Sequence, residues 1–362
     1  MILATFLLTS GILALLTLLP LSRRVEWWVR SLDFPRLQLF LLWLLLLLLE
    51  FLWLDLAQIS TWGLVAVSVG CLVIQGWWIM PFTRLFPVEV KPAVRVERRR
   101  MIRIMTANVL TTNRNAAALI DLVRENSPDI LVTLESDEWW QARLDELEPS
   151  YPYTIKCPLD NLYGMHVYSR LLLEDSRVDY LVEPDIPSMH ALVRLPSGKG
   201  IRAHFLHPRP PNPTQSTESS ERDAELIMVA RSVVDTRTPV IVTGDLNDVA
   251  WSETTRLFKK ISGLLDPRVG RGMFNTFHAG YWFMRWPLDH LFHSDHFTLS
   301  SIRRLPAFGS DHFPLFTELV YEAGRGSEQH GLAADEDDVL WAKAKTDEEG
   351  VSKSDVPKPG EP

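Results

Sequence analysis

Three long apolar segments lie within the first 83 residues and constrain the fold of the chain more than any other feature. They cover about 2–21, 37–57 and 61–81. Each is close to the ~20 predominantly apolar residues that an α-helix needs to cross a bilayer. The first segment lacks the basic start of a secretory signal peptide, and two similar segments follow it. The sequence therefore predicts a membrane domain of three transmembrane helices at residues 1–83.

Basic residues flank these segments unevenly. The first loop (22–36) contains four arginines, the second loop (55–61) contains no Lys or Arg, and residues 84–100 contain six basic residues. Because basic loops tend to stay on the cytoplasmic side, this pattern favours an external N-terminus. We expect a multi-pass protein of a bacterial inner membrane whose large polar domain faces the cytoplasm. The basic linker at 84–100 is either a topology signal or a segment that contacts anionic lipid headgroups.

The charge of the remaining chain argues against one class of partner. Residues 101–321 contain 22 Lys and Arg against 28 Asp and Glu, which is not the basic surface of a strong nucleic-acid binder. The two cysteines, Cys71 and Cys157, indicate neither a disulfide framework nor a zinc site. Residues 322–362 are rich in Gly, Pro and charged residues, a composition that predicts an acidic, disordered tail.

Strand and helix patterns alternate between residues 101 and 321. The domain begins with a strand in "MIRIMTANV", a helix in "NAAALIDLVREN" and a buried strand in "PDILVTLES". Further strands are predicted in "GMHVYSR", "MHALVRL", "GIRAHFL", "TPVIVTGDLN", "LDHLFHS" and "PLFTELV", and a long amphipathic helix is predicted in "TESSERDAELIMVARSVVD". This mixture predicts a layered α/β domain.

Acids, amides and imidazoles follow the predicted strands. Any one of them alone is more often a turn residue or a helix cap, but six strand ends of this kind in one domain, with nine such residues, predict a shared site. The residues are Asn108, Glu135, His207, Asp245, Asn247, Asp289, His290, Asp311 and His312. These residue types suit the hydrolysis of a phosphate ester. Carboxylate and amide oxygens bind Mg²⁺, a carboxylate can activate a water, and a protonated histidine can face the phosphate.

The stretch "VIVTGDLND" gives the sharpest prediction of roles. Side chains two residues apart on an extended segment point the same way, so Asp245 and Asn247 would share one water while Leu246 enters the core. Gly244 would permit a close backbone approach at the end of the strand. Asp245 is therefore the predicted base, with Asn247 as the group that positions the water.

The remaining candidates have complementary predicted roles. Glu135, Asn108 and Asp311 offer oxygen ligands to Mg²⁺. His312 is expected to be held protonated by Asp289 and to face the phosphate.

Seven motifs, taken in order over about 101–320, resemble those of the endonuclease/exonuclease/phosphatase superfamily. They are "TANV", "LVTLES", "GMHVYSR", "LHPRPP", "VTGDLND", "PLDHLF" and "GSDHFP". The resemblance implies a four-layer α/β sandwich, here preceded by three transmembrane helices. It also implies a Mg²⁺-dependent phosphoesterase, with Mn²⁺ as a substitute, and assigns the residues above to the same roles.

The resemblance adds His207 as a phosphate contact, and the sequence departs from the family pattern beside it. No acid stands near His166 to partner His207, and the glutamate motif reads Leu134-Glu135 where Gln-Glu is common. His166, Arg170 and His290 are candidate substrate contacts. The two histidines are alternatively packed strand residues.

The substrate stays open at this point. Nucleic acids, lipid headgroups and inositol phosphates all contain suitable esters, and no protein partner is indicated. Two other classes of protein are alternatives to a phosphoesterase: an inert domain that keeps the fold and a transport or channel component. The first should have lost residues such as Glu135 or His312, and the second should have more intramembrane polar residues than Glu50.

Overall fold

The computed structural model describes residues 1–234 and 236–361, in which two β-sheets follow a bundle of apolar helices. The helices are α1 (Ile2–Leu18), α2 (Trp27–Arg30), α3 (Arg36–Trp53), α4 (Ile59–Ile79), α5 (Ala116–Asn126), α6 (Glu138–Leu144), α7 (Ser220–Val233), α8 (Glu253–Ser262) and α9 (Glu336–Glu348). The strands are β1 (Met101–Asn108), β2 (Ile130–Leu134), β3 (Tyr153–Cys157), β4 (Met165–Ser169), β5 (Leu173–Asp179), β6 (Ser188–Arg194), β7 (Gly200–Leu206), β8 (Val240–Asp245), β9 (Asp289–His293), β10 (Phe297–Arg304) and β11 (Leu315–Tyr321).

Each sheet contains one parallel pair of strands that a helix connects. The first sheet has the order β10-β11-β1-β2-β4-β3 and the second the order β5-β6-β7-β8-β9. β1 and β2 are parallel and joined through α5, and β7 and β8 are parallel and joined through α7. The other pairings are antiparallel. Both sheets therefore have carboxyl strand ends side by side at one edge.

The sheets and helices form the four-layer sandwich that the sequence predicts. Ile104 of β1 and Phe205 of β7 belong to one apolar core between the sheets. Met105, the neighbour of Ile104, points the other way and packs with α5 and α6, as the alternation of a strand requires. Val242 of β8 packs in the same way with α7 and α8 on the far side.

Three helices before the sandwich are long and apolar enough to cross a membrane, at Ile2–Ser22, Arg36–Trp53 and Ile59–Phe82. Their polar side chains meet inside the bundle. The indole of Trp43 donates to Thr17 Oγ1 at 2.9 Å, and Ser68 Oγ donates to Glu50 at 2.8 Å. Such pairing offsets the cost of polar groups at membrane depth.

The loop between α1 and α3 packs against the sandwich. The backbone N–H of Trp27 donates to Thr217 O at 2.9 Å, and the indole of Trp251 donates to Asp33 O at 2.8 Å. This loop and the sandwich therefore lie on the same side of any bilayer that the three helices cross. Part of the basic linker is also packed: Val90 is fully buried, and Ala93 N–H donates to Leu299 O of β10.

The prediction of a disordered tail is wrong for residues 336–348, which form α9. Asp335 and Asp338 cap its start reciprocally. Its inner face contacts α7, where Lys345 Nζ lies 2.6 Å from Asp223 Oδ2. Since α9 covers α7, nearly all residues of α7 are buried, and α7 is not the amphipathic helix that the sequence predicts. A charged composition does not preclude packing when the charges have buried partners.

The α9 contact yields a stability prediction. Lys345→Ala should lower the free energy of unfolding by about 1–3 kcal/mol, because it leaves a buried carboxylate with fewer partners. The matched control is Lys343→Ala on the exposed face of the same helix, which should change stability by less than about 0.5 kcal/mol. Thermal denaturation of the full chain in detergent measures both. Equal effects would show that α9 does not pack on α7.

Candidate active site

The candidate residues converge where the parallel strand pairs of both sheets end. Asn108 ends β1 and Glu135 follows β2 in the first sheet, while His207 follows β7 and Asp245 ends β8 in the second. Oγ1 of Thr106 and Oγ1 of Thr243 are 2.9 Å apart and bridge the sheets just below these ends. Ligands of layered α/β folds bind outside the carboxyl ends of strands.

The imidazole of His312 lies between two carboxylates of the second sheet. Its Nδ1 is 2.8 Å from Asp289 Oδ2 and its Nε2 is 3.5 Å from Asp245 Oδ2. Burial alone would lower the pKa of His312, but Asp289 and then Asp245 outweigh burial and raise the pKa to about 10. His312 is therefore a buried cation at neutral pH, held by Asp289 as the sequence predicts.

Asn108 links the two sheets through its amide nitrogen. Nδ2 donates to Glu135 Oε1 at 2.8 Å and to Asp245 Oδ2 at 3.1 Å, while Oδ1 accepts the N–H of Leu110. In this arrangement Asn108 positions the two carboxylates. The prediction that Asn108 offers an oxygen ligand to Mg²⁺ does not fit this arrangement, because Oδ1 of Asn108 already accepts the backbone N–H of Leu110.

Glu135 is a partly exposed carboxyl that accepts a hydrogen bond from Asn108 and lies near the charge of His312. Burial above all, with Asp245 and Asp311 as lesser causes, raises the pKa of Glu135 to about 7. Its backbone has the left-handed φ of 57°, which costs a non-glycine residue roughly 1–3 kcal/mol. A strained residue with a raised pKa is typical of a functional site.

The segment after β8 forms a tight turn. Asp245 Oδ1 accepts the N–H of Asn247 at 3.0 Å, and Asn247 has a left-handed φ of 52°. The two residues are thus brought together by a turn and not by the alternation of an extended strand. Leu246 enters the core as predicted. A Cβ on Gly244 would overlap the carbonyl oxygen of Leu206, so only glycine fits there.

His207 lies in the same cleft but has no acidic partner. It is 2% exposed, its ring is 5.4 Å from that of Tyr163, and its Nδ1 has no hydrogen-bond partner among the described residues. Burial lowers its pKa to about 4, more than nearby Asp245 raises it. A neutral imidazole at this place can contact an anion through a hydrogen bond.

The structure does not bring three of the candidates to the site. His290 is fully buried, with Nε2 2.9 Å from Asp248 O and Nδ1 2.7 Å from Arg268 Nη2. His166 is also fully buried, and its Nδ1 lies 2.6 Å from Ser136 Oγ.

Arg170 follows β4 at the opposite end of the first sheet. Ser169, its neighbour, pairs with Ile130 at the start of β2, whereas the site lies beyond the end of β2. The guanidinium of Arg170 lies over the ring of Tyr151. This geometry does not fit the prediction of substrate contacts by Arg170, His166 and His290.

The donor set fits a divalent cation. Four carboxylates (Glu135, Asp245, Asp289 and Asp311) surround a single cation, His312. Among the described residues, one group of Asp, Glu, His and Cys is close enough to hold an ion: Asp245, Asp289 and His312, with ligand atoms within 4.8 Å of one another. The carboxylates of Asp289 and Asp245 raise the pKa of His312 and favour its protonated form, which has no lone pair for a metal. The surplus of carboxylate oxygen suits a hard cation.

Sequence reasoning missed several supporting residues. Ser310 Oγ donates to Asn108 O at 2.8 Å and accepts the N–H of His312. Thr276 Oγ1 accepts the N–H of Asp289, and the ring of Phe277 lies 4.9 Å from that of His312. Ser310 had a signal, since it precedes Asp311 in "GSDHFP". Thr276 and Phe277 lie in an irregular loop without one.

The two packed sheets meet at one edge, where a buried His–Asp pair lies beside further carboxylates. The sequence model of the Endonuclease/Exonuclease/phosphatase family matches residues 105–312. This match covers more than half of the chain, which therefore belongs to that family.

Solved structures share the fold at low sequence identity. An endonuclease/exonuclease/phosphatase from Beutenbergia cavernae has 17% identity and a TM-score of 0.50, covering 61% of this chain and 72% of its own. The human Nocturnin catalytic domain with bound sulfate has 18% identity and a TM-score of 0.50, covering 62% and 96%. Danio rerio TDP2 with a single-strand DNA product has 15% identity and a TM-score of 0.50, covering 60% and 98%. A search of the curated proteins finds no significant match.

The position of His290 yields a prediction that separates packing from substrate contact. His290→Ala should lower the free energy of unfolding by about 2–4 kcal/mol, because it removes two buried hydrogen bonds and leaves a cavity. The KM for a soluble phosphate ester should stay within twofold of the original. Thermal denaturation and steady-state kinetics measure the two effects. A raised KM with unchanged stability would restore His290 as a substrate contact.

Proposed function

We propose that the chain is a membrane-anchored, divalent-metal-dependent phosphoesterase whose catalytic unit is residues 101–321. The observation that carries the proposal is the His312 cation held between Asp289 and Asp245, with Asn108 tying Asp245 to Glu135. A base, a cation and a carboxylate surplus are the groups that hydrolysis of an anionic ester needs.

The roles follow from the positions of the side chains. Asp245 stays ionised because His312 above all, with hydrogen bonds from Asn247 and Asn108, outweighs the effect of burial and lowers its pKa. Asp245 accepts a proton from the attacking water, which Asn247 helps to position. Water oxygen bonds to phosphorus and the bond to the leaving oxygen breaks. The leaving oxygen takes its proton from solvent water, to which Asp245 afterwards returns the proton that it accepted.

His312 stabilises negative charge on the phosphate, and Asp289 orients it. His207, neutral and in the same cleft, donates a hydrogen bond to a phosphate oxygen.

Glu135 and Asp311 are the residues that would hold Mg²⁺, or Mn²⁺ in its place, next to Asp245. When bound, such an ion neutralises charge on the phosphate and the leaving oxygen. Asn108 keeps the carboxylates of Glu135 and Asp245 in place for it.

The substrate is a phosphodiester, of the nuclease type, or a phosphomonoester. The balance of 22 basic against 28 acidic residues in 101–321 disfavours a grip on duplex DNA. A lipid headgroup or an inositol phosphate is the alternative that this charge favours.

The mechanism predicts a defined pattern of loss. Asp245→Asn and His312→Gln should each lower kcat/KM by at least about 100-fold, and EDTA should abolish activity. The full chain in detergent is assayed with bis-p-nitrophenyl phosphate, plasmid DNA, an abasic-site duplex, sphingomyelin and inositol phosphates. Arg170→Gln, at the far end of the sheet, is the control and should retain activity.

Glu135→Gln should weaken Mg²⁺ binding in calorimetry at least tenfold. Full activity in EDTA would refute the metal-dependent mechanism.

We infer that the catalytic unit faces the cytoplasm of a bacterial cell. The basic first loop packs on the sandwich, so both basic regions lie on one side, and basic regions favour the cytoplasm.

Cysteine labelling tests this orientation. In a Cys157→Ser background, Ala57→Cys in the second loop should react with a membrane-impermeant maleimide in intact cells. Ser354→Cys, which is exposed near the end of the chain, should react only after the membrane is permeabilised. The reverse pattern would place the catalytic unit outside.

A further inference from the structure

Four consecutive large apolar side chains are exposed in the loop between α8 and β9. Tyr281 is 52% exposed, Trp282 81%, Phe283 54% and Met284 42%. Single exposed apolar residues are common on soluble proteins, whereas a contiguous run marks a contact surface. We refer to residues 281–284 as the aromatic loop.

One flank of the aromatic loop touches the start of a membrane helix. Gln38 Nε2, in the first turn of α3, donates to the carbonyl oxygen of Phe283 at 3.0 Å. The ring of Phe34, just before α3, packs edge-on against Trp286 with 5.5 Å between centroids. Since the apolar span begins at Arg36, the aromatic loop lies at the depth where α3 enters a bilayer.

The other flank reaches the catalytic residues. Ala279 N–H donates to the carbonyl oxygen of Asp311 at 2.6 Å. The ring of Phe277 contacts both Trp286 and His312, with centroids 6.2 and 4.9 Å away. A single short segment therefore connects the start of α3, the aromatic loop and His312.

Two arginines without acidic partners lie beside the same segment. The guanidinium groups of Arg285 and Arg304 are 5.0 and 4.3 Å from the ring centre of Phe313. Among the described residues their hydrogen bonds go only to carbonyl oxygens, those of Tyr281, Ala279 and Asn275. Their charge is free to meet anionic groups, which the surface of a bilayer offers.

We propose that the aromatic loop lies in the headgroup region of the bilayer and that the substrate is a phosphate ester carried by a membrane lipid. Trp and Tyr side chains favour this region because their rings are partly polar and partly apolar. The substrate class rests on the proposed phosphoesterase function, whereas the location of the loop does not. Hydrolysis replaces one P–O bond of the lipid with a P–O bond from water, and the proton goes to the leaving oxygen.

Exposed aromatic rings beside a phosphoesterase site can also stack on the bases of a single-stranded nucleic acid. Two observations favour the lipid. Met284 extends the apolar run, and Gln38 fixes the loop to the start of a membrane helix.

The location of the loop is tested with a fluorophore, independently of activity. Trp282→Cys in a Cys157→Ser background is labelled with an environment-sensitive dye, and the full chain is reconstituted in vesicles of phosphatidylethanolamine and phosphatidylglycerol. Emission should shift to the blue and be quenched by lipids with a headgroup nitroxide. Tyr153→Cys, exposed on β3 at the far end of the first sheet, is the control and should report water. A water-exposed signal at position 282 would overturn the placement.

The substrate class is tested with a double variant, Trp282→Ser with Phe283→Ser. Hydrolysis of phosphatidic acid, phosphatidylglycerol or phosphatidylethanolamine in mixed vesicles should fall at least tenfold, while hydrolysis of bis-p-nitrophenyl phosphate in detergent should stay within twofold. Tyr153→Ser should change neither rate.

Each other outcome has a distinct meaning. Hydrolysis of the soluble ester but of no vesicle lipid by the unaltered chain would overturn the lipid substrate. Selective loss of single-stranded DNA cleavage in the double variant would replace the lipid with a stacked base. Failure of the unaltered chain to hydrolyse any ester would refute the proposed function together with the lipid substrate, and the fluorophore would still decide the placement of the loop.

Discussion

The ion pair between His312 and Asp289 joins the two halves of the sandwich at the site. His312 precedes β11 of the first sheet, while Asp289 begins β9 of the second, and Asp245 closes the triad from β8. Because all three are buried, the charges depend on one another. Without its two carboxylates His312 would lose its proton, and without that cation Asp245 would be a carboxylate in an apolar setting. The packing of the two sheets and the charges of the site residues therefore depend on the same ion pair.

Buried polar contacts fix the sandwich to the three apolar helices, so the cleft would have a defined position relative to any bilayer that these helices cross. Arg36, at the start of α3, forms an ion pair with Asp33. The carbonyl oxygen of Asp33 accepts a hydrogen bond from the indole N–H of Trp251. Ile79 and Phe82, at the end of α4, enter the cluster that contains Trp251 and Leu288. An anchor on a flexible tether would leave the cleft free to meet soluble substrates at any angle. A packed anchor would hold the cleft at one angle to the surface of such a bilayer.

The sequence predicts the three apolar helices, the layered domain and the residues around His312, because each depends on a local pattern. Apolar length, strand alternation and polar residues at strand ends are all visible in the printed chain. What sequence reasoning misses depends on partners far away along the chain. Residues 336–348 have the composition of a solvated tail, and only the structure shows that Lys345 pairs with Asp223. From the sequence His290 is either a substrate contact or a packed strand residue, and the structure favours packing, because Arg268 and the carbonyl oxygen of Asp248 occupy both of its nitrogens. No local pattern in the sequence shows that Arg170 lies at the end of β4 that is far from the site.

Backbone strain occurs at two of the site residues that reach solvent. Glu135 and Asn247 are both partly exposed, and both have left-handed φ angles, of 57° and 52°. Such conformations persist only where the surroundings hold them. Thr111 Oγ1 donates to the carbonyl oxygen of Glu135 at 2.7 Å, and Asn247 Nδ2 donates to Pro208 O at 2.9 Å. A relaxed backbone at either position would turn its side chain away from Asp245. The strain is thus maintained by the contacts of Glu135 with Thr111 and of Asn247 with Pro208, one in each half of the sandwich.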